Sequence, residues 1–178
     1  MTLASGKSRM GFLLLTGCIF LTGCFGCISR AQKEILQKWY TAYYEVQRER
    51  QSKAAPVPAN LLVAKIGEPD YVVKGSEFAV VFPDPKVRHF LITLSALDLA
   101  GLTIEQEPPQ SAIEAITQAS VWFYDEAARY PMPAQPDSFW GMGTGFQVIW
   151  FVVNGKGDVI AQEAGGFATP IAPSHRKK

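Results

Sequence analysis

The sequence predicts an α+β domain built on a small antiparallel sheet, on three observations. Apolar and aromatic residues recur with helical period between residues 31 and 53. Shorter apolar runs of strand length follow, set between glycines and prolines. Near the end, two such runs flank an Asn-Gly pair, a strong short-range hairpin signal. The 17 Lys and Arg residues against 16 Asp and Glu leave a net charge of +1, which provides no broad basic field for nucleic acid. The three cysteines, Cys18, Cys24 and Cys27, all lie in the amino-terminal leader region. The remaining body, about 150 residues, is long enough for one real core. It has no thiol for a disulfide, a cysteine-ligated zinc or a cysteine nucleophile.

Residues 31–53 are expected to form an amphipathic helix. Ile35, Trp39 and Tyr43 recur at i, i+4 and i+8, with Leu36, Tyr40 and Val46 beside them, and the charged residues lie mostly off this stripe. Glu34 and Lys38 make a favourable i, i+4 pair. Packing on its own domain accounts for the stripe, since the mixed charges argue against strong attraction to anionic lipid. Pro56 and Pro58 then break the chain, because a residue before proline is pushed out of helical geometry. Pro58 opens a short second helix through Ile66, with Gly67 as a left-handed cap and Pro69 just beyond. Residues 71–74 and 77–82 are expected as two strands around Lys74-Gly75-Ser76, stopped by Pro83-Asp84-Pro85.

Residues 87–102 fit two periods. His89 to Leu94 reads as a strand, while Val87, Leu91, Leu94 and Leu97 share a helical face. The expectation is a strand followed by a short helix or turn over 95–101. After Pro108-Pro109, Ser111-Ala112-Ile113-Glu114 has the form of a capping box for a helix over 112–119. A strand over 121–124, a proline- and glycine-rich loop over 130–145 and a strand over 146–153 follow. Asn154-Gly155 opens the last turn, and residues 158–163 return. The domain is thus expected to occupy 31–164, and 165–178 to be a flexible tail ending in His175-Arg176-Lys177-Lys178.

The leader has a different design. Lys7 and Arg9 precede an apolar run over 11–21, which ends in Leu21-Thr22-Gly23-Cys24. An aliphatic residue, two small residues and a cysteine resemble the lipobox of bacterial lipoprotein precursors, in which the cysteine thiol receives a diacylglycerol thioether. That resemblance implies a signal peptide over 1–23, a lipid-anchored linker over 24–30, and palmitate among the acyl chains. Leu15-Thr16-Gly17-Cys18 is a second match, making Cys18 the alternative acceptor. Its apolar run, 11–15, is shorter than the roughly 7–15 residues of an h-region. Cys27 lacks the aliphatic residue three positions earlier. The competing reading is an uncleaved anchor over 11–28, weakened as a helix by Gly11, Gly17, Gly23 and Gly26. Phe25 rather than Asp after the acceptor implies, by the enterobacterial sorting pattern, a periplasm-facing outer-membrane location.

Three further pieces resemble the SmpA/OmlA (BamE-like) small outer-membrane lipoproteins. They are Leu61 to Asp70 with its Gly-x-Pro helix stop, the Trp122-Phe123-Tyr124 strand, and the hairpin from Phe151 to Val159. The resemblance implies two helices on a three-stranded antiparallel sheet and an accessory role in outer-membrane protein assembly. The stretch between Pro69 and Trp122 is much longer here than in that family.

Residues with chemistry are sparse. His89 lies in an apolar run, where a hydrogen-bonded structural histidine is expected, and His175 is in the tail. Asp125 and Glu126 are adjacent after a strand, while Asp84, Asp98, Asp137 and Asp158 are dispersed, so no catalytic pair is nominated. Trp140-Gly141-Met142-Gly143-Thr144-Gly145 leads into a strand rather than a helix, the wrong context for a phosphate-binding loop. Phe139, Trp140, Met142 and Phe146 there form a candidate partner-binding loop. No catalytic residue, metal or cofactor is expected. The sequence therefore reads as a non-catalytic envelope lipoprotein that meets the membrane through its anchor and binds other envelope proteins. The alternatives are an anchored hydrolase or a periplasmic module for a small ligand or glycan.

Overall fold

The computed structural model describes residues 29–52, 56–130 and 146–167. Helix α1 spans Arg30–Ser52, as its periodicity predicts. Strand β1 (Val57–Pro58), helix α2 (Asn60–Ile66) and strand β2 (Tyr71–Lys74) follow. A single 3-10 turn, Gly75–Glu77, leads into α3 (Phe78–Val81), α4 (Pro85–Ala100) and α5 (Gln110–Gln118). Strand β3 (Ser120–Asp125), the short α6 (Glu126–Arg129) and the hairpin β4 (Phe146–Val153) and β5 (Asp158–Phe167) complete the chain.

Among the described residues the strands make a five-stranded sheet in the order β1-β5-β4-β3-β2, with every neighbouring pair antiparallel. The chain is therefore an α+β protein. Helices cover both faces. Val148, Trp150 and Val152 of β4 pack with Val121, Phe123, Phe78, Phe82, Leu91 and Ile116 on the face of α3, α4 and α5. Ile149, Phe151 and Val153 point the other way and pack with Tyr124, Trp39, Val46 and Leu62 beneath α1 and α2. Side chains alternate across a strand, so burial on both faces demands an unbroken apolar run, and β4 supplies one. The sheet is larger than the three strands implied by the family resemblance. The long stretch between Pro69 and Trp122 provides β2 and the second helical layer.

Two expected strands are helical. Residues 77–81 form the end of the 3-10 turn and α3, and Phe82 caps that helix, one turn from Phe78 with the two rings edge-on at 5.4 Å. Both are buried against Phe123 and its neighbours. Of residues 87–102, expected to begin as a strand, 87–100 belong to one continuous α4. Asp84 caps its start by accepting from Lys86 N at 2.8 Å, and Pro85 occupies the first turn. At its end Gly101 adopts a left-handed φ of 66°, and Leu102 N donates to Leu97 O while Gly101 N donates to Asp98 O. Cooperative backbone bonds and the buried stripe of Leu91, Ser95 and Ala96 outweigh the local strand pattern. His89 is accordingly exposed on α4 rather than held in the core.

Smaller departures concern helix and turn ends. Helix α2 begins at Asn60, because Val57 and Pro58 pair with β5. Gly67 has the expected positive φ of 85° but an extended ψ of −174°, so it is not a left-handed α cap. Ser111 lies inside α5, whose cap is Pro109, and no side chain caps it. In the terminal hairpin the positive φ, 84°, falls on Gly157 rather than Gly155. Asn154 accepts from Lys156 N and Asp158 N through its side-chain oxygen, while Gly157 N donates to Asn154 O. The result is a longer turn with a positive-φ glycine near its end, not a two-residue loop. Strand β5 continues to Phe167, opposite Phe146, and so takes in the first residues assigned to the tail.

Candidate functional site

Two regions concentrate polar or exposed aromatic side chains. The first is buried at the carboxyl end of β3. Asp125 is fully buried and Glu126 nearly so, and they point into different parts of one network. Tyr71 Oη donates to Asp125 Oδ2 at 3.3 Å, while Asp125 N donates to Asp70 Oδ2 at 2.9 Å. Arg129 Nε donates to Asp70 Oδ1 at 2.8 Å, its Nη2 donates to Glu68 O, and its guanidinium lies 4.9 Å from the Trp39 ring centroid. Glu126 accepts from Gln32 Nε2 of α1 and from Gln147 N of β4. Tyr40 Oη donates to Gln147 Oε1 at 2.8 Å.

This network joins α1, the loop after α2, β2, β3, α6 and β4. Burial is the main reason its phenols titrate high. Tyr40 is pushed up to about 12, with Tyr44 and Glu126 adding to the effect. Tyr71 is raised well above the ordinary phenol range by burial and by Asp125, and Tyr124 by burial against partial relief from Arg129. At neutral pH these hydroxyls remain neutral donors. The carboxylates accept from fixed amide, guanidine and hydroxyl donors in the interior, so their visible role is to hold elements together.

The second region is open. A shallow groove between α2 and the terminal hairpin is lined by Pro58, Asn60, Val63, Glu68, Trp122 and Lys156. Trp122 is half-buried there and is flanked in the sheet by Val72, which is 50 % exposed, and by buried Phe151. An aromatic floor with an acid and a base on its rim offers apolar area together with orienting charge. On the other side of α2, a second groove against α1 is lined by Ile35, Lys38, Ala42 and Lys65 and crossed by the Lys65–Glu45 ion pair.

The chain matches no family model, no curated protein and no solved structure. Cys24, Cys18, Phe139, Trp140 and Met142 lie outside the described residues. Phe146 opens β4, where its backbone is paired with Phe167. The dispersed carboxylates have separate local partners: Asp84 caps α4, Asp98 pairs with Arg50, and Asp158 accepts from Asn154 Nδ2. Asp137 lies outside the described residues. Sequence reasoning missed Gln32, Asp70 and Arg129, although Gln32 carried a signal. It lies one turn before Ile35, Trp39 and Tyr43, so it is a polar residue on the buried stripe.

Proposed function

We propose that this chain is a lipid-anchored bacterial envelope protein whose α+β domain is a non-catalytic interaction module. The observation that carries the reading is Leu21-Thr22-Gly23-Cys24 at the end of an apolar run behind Lys7 and Arg9. Helix α1 begins at Arg30. From Cys24 the chain to that point can extend at most about 22 Å, at roughly 3.3–3.6 Å per residue. A thioether-linked lipid at Cys24 would therefore hold the amino-terminal end of α1 close to the headgroups. More than one acyl chain is needed for stable anchoring, since a single chain binds only marginally. Among the described residues, no helix is long and apolar enough to cross a membrane.

The Trp122 groove is the interaction surface in this reading, and its partner is another envelope protein. An accessory role in outer-membrane assembly, as in the lipoproteins the sequence resembles, is the finer form of the proposal. Replacing Cys24 with Ser is expected to leave unprocessed precursor and abolish incorporation of radiolabelled palmitate. Equal labelling of that variant would refute Cys24 as the acceptor, and labelling lost only in Cys18→Ser would move the anchor there. A photocrosslinker at Trp122 is expected to capture an envelope protein from intact cells, and a crosslinker on exposed Glu105 is not. Equal capture from both positions would remove the groove from the proposal.

A further inference from the structure

The sheet ends differently at its two sides. Beyond β5 lies β1, whereas β2 has a strand neighbour on one side only among the described residues. Three bonds show which backbone groups of this edge are engaged. Ala119 O accepts from Gly75 N, Phe123 O accepts from Asp70 N, and Asp125 N donates to Asp70 Oδ2. The odd-numbered residues of β3 therefore direct their backbone groups toward β2. Bonded and non-bonded pairs alternate along an antiparallel ladder, and Tyr71 and Val73 stand opposite Phe123 and Val121. Those pairs close the ladder with β3. The N–H and C=O groups of Val72 and Lys74 consequently point out of the sheet, where an added strand would meet them.

Side chains along this edge run from acid through apolar to base. Glu68 and Asp70 lie just before the strand, Val72 is half exposed within it, and Lys74 is exposed at its end. Glu77 belongs to the 3-10 turn that follows and not to the strand. Such an order is complementary to a second copy of itself running antiparallel. The outward groups sit on even-numbered residues, so a second copy pairs even with even. Lys74 against Lys74 would set like charges together, and Val72 against Lys74 would leave both lysines without a carboxylate opposite. Val72 against Val72 sets each Lys74 opposite Asp70 of the other copy. Only that register matches apolar with apolar and base with acid.

We infer that the β2 edge is a homodimer interface, where two copies of this chain join antiparallel about Val72 into one continuous sheet. Each Val72 N–H donates to the Val72 C=O of the other copy, and the two valine side chains meet on one face. Asp70 accepts from Arg129 Nε at one oxygen and from Asp125 N at the other. A carboxylate offers about four lone-pair sites, so the incoming ammonium joins that network without displacing a donor. Because the paired valines share a face, the twofold axis runs normal to the sheet. Both copies of α1 and both Trp122 grooves then lie on the same side. Lys74 also limits the assembly, since a lysine on an edge deters indiscriminate pairing. Once two β2 edges meet, neither is left for a third copy. None of these residues lies in the leader, so the dimer stands or falls separately from the lipid anchor.

The test is disulfide capture in the full chain, purified in detergent and mildly oxidised. Residues of a hydrogen-bonded antiparallel pair have Cα atoms about 5.5 Å apart, within disulfide reach. Val72→Cys is expected to give a reducible dimer above the background of the wild type, which carries the same leader cysteines. Lys74→Cys, set opposite Asp70 and not itself, should stay at that background. Adding Lys74→Glu to Val72→Cys turns two opposite-charge pairs into two like-charge pairs and should lower capture roughly tenfold. Equal capture at 72 and 74 overturns the dimer. So does background capture at both, the result expected if another part of this chain or a different protein holds the edge. Sedimentation equilibrium gives a reading that needs no added cysteine. Lys74→Glu should weaken the wild-type dimer roughly tenfold. A wild type that stays monomeric, or a dimer indifferent to Lys74→Glu, overturns the inference.

Discussion

Gln32 and Glu126 are 94 positions apart in sequence, yet each is buried against the other. The pairing matters because an unsatisfied buried acceptor costs about 1–3 kcal/mol, more than a satisfied hydrogen bond contributes. Gln32→Leu keeps the apolar stripe of α1 but leaves Glu126 Oε1 without that donor. We expect it to lower stability by about 1–3 kcal/mol in urea unfolding, despite its greater hydrophobicity. Asp70 is a second hinge of the same network, since it holds both Arg129 Nε and Asp125 N. Asp70→Ala should cost about 2–3 kcal/mol, because it strands a part-buried guanidinium. Trp39 Nε1 has no hydrogen-bond partner among the described residues, and the Arg129 guanidinium lies over its ring. Trp39 is legible in the sequence through its place on the helical stripe, and Gln32 as a polar residue on the same stripe. Asp70 and Arg129 carry no local pattern, and their meeting depends on where β2, β3 and α6 are brought.

At the scale of elements, Gly75 explains why the chain turns helical after β2. Its N–H donates to Ala119 O, and a Cβ there would lie 2.4 Å from Ile116 O and 2.6 Å from Thr117 Cα. The backbone of the 3-10 turn thus rests directly on the carboxyl end of α5. Gly75→Ala is expected to destabilise the protein by about 3 kcal/mol in thermal unfolding, because backbone rather than a pliable side chain must move. Helix α4 makes the opposite point. Asp84-Pro85 at its start and Gly101 at its end are ordinary helix punctuation, visible in the sequence. The apolar segment from His89 to Leu94 has a strand-like pattern, but a strand there would forfeit both caps and the Trp150 Nε1 to Ser95 Oγ bond of 2.9 Å. Asp84→Ala should cost about 1 kcal/mol, the usual loss of an amino-terminal cap, with melting measured by circular dichroism.

The whole molecule has helices on both faces of an antiparallel sheet, and charged side chains meet strand backbone both at the β5 edge and on β3 and β4. Glu163 makes the consequence measurable. Its folded-state carboxyl is raised from 4.5 to about 7, by burial first and Asp98 second. Below the lower value both folded and unfolded chains are protonated there. Between the two values the unfolded chain ionises while the folded one keeps its proton, so stability falls as pH rises. Above the folded value both are ionised and the loss levels off. The total is roughly 2–3 kcal/mol, at about 1.4 kcal/mol for each tenfold change in proton affinity and allowing for solvent screening. Comparing wild type with Glu163→Gln by denaturant titration should show the difference opening across that window and remaining constant on either side.

The sequence by itself determined the α+β class, the amphipathic α1, the terminal hairpin and the location of the cysteines, because these are written in local periodicity, turn residues and composition. It also supplies the lipobox-like segment Leu21-Thr22-Gly23-Cys24 on which the proposed anchor rests. Tertiary structure decided what local pattern could not. It made 77–81 and 89–94 helical, since both segments are apolar enough for either period and burial selects the one that packs. It moved the positive-φ glycine of the hairpin to Gly157, since the side chain of Asn154 reorganises the turn. It also assembled Gln32 with Glu126, Asp70 with Arg129, and Arg50 with Asp98. Those groupings join residues far apart in the chain, and only folding sets their distances and removes the water between them.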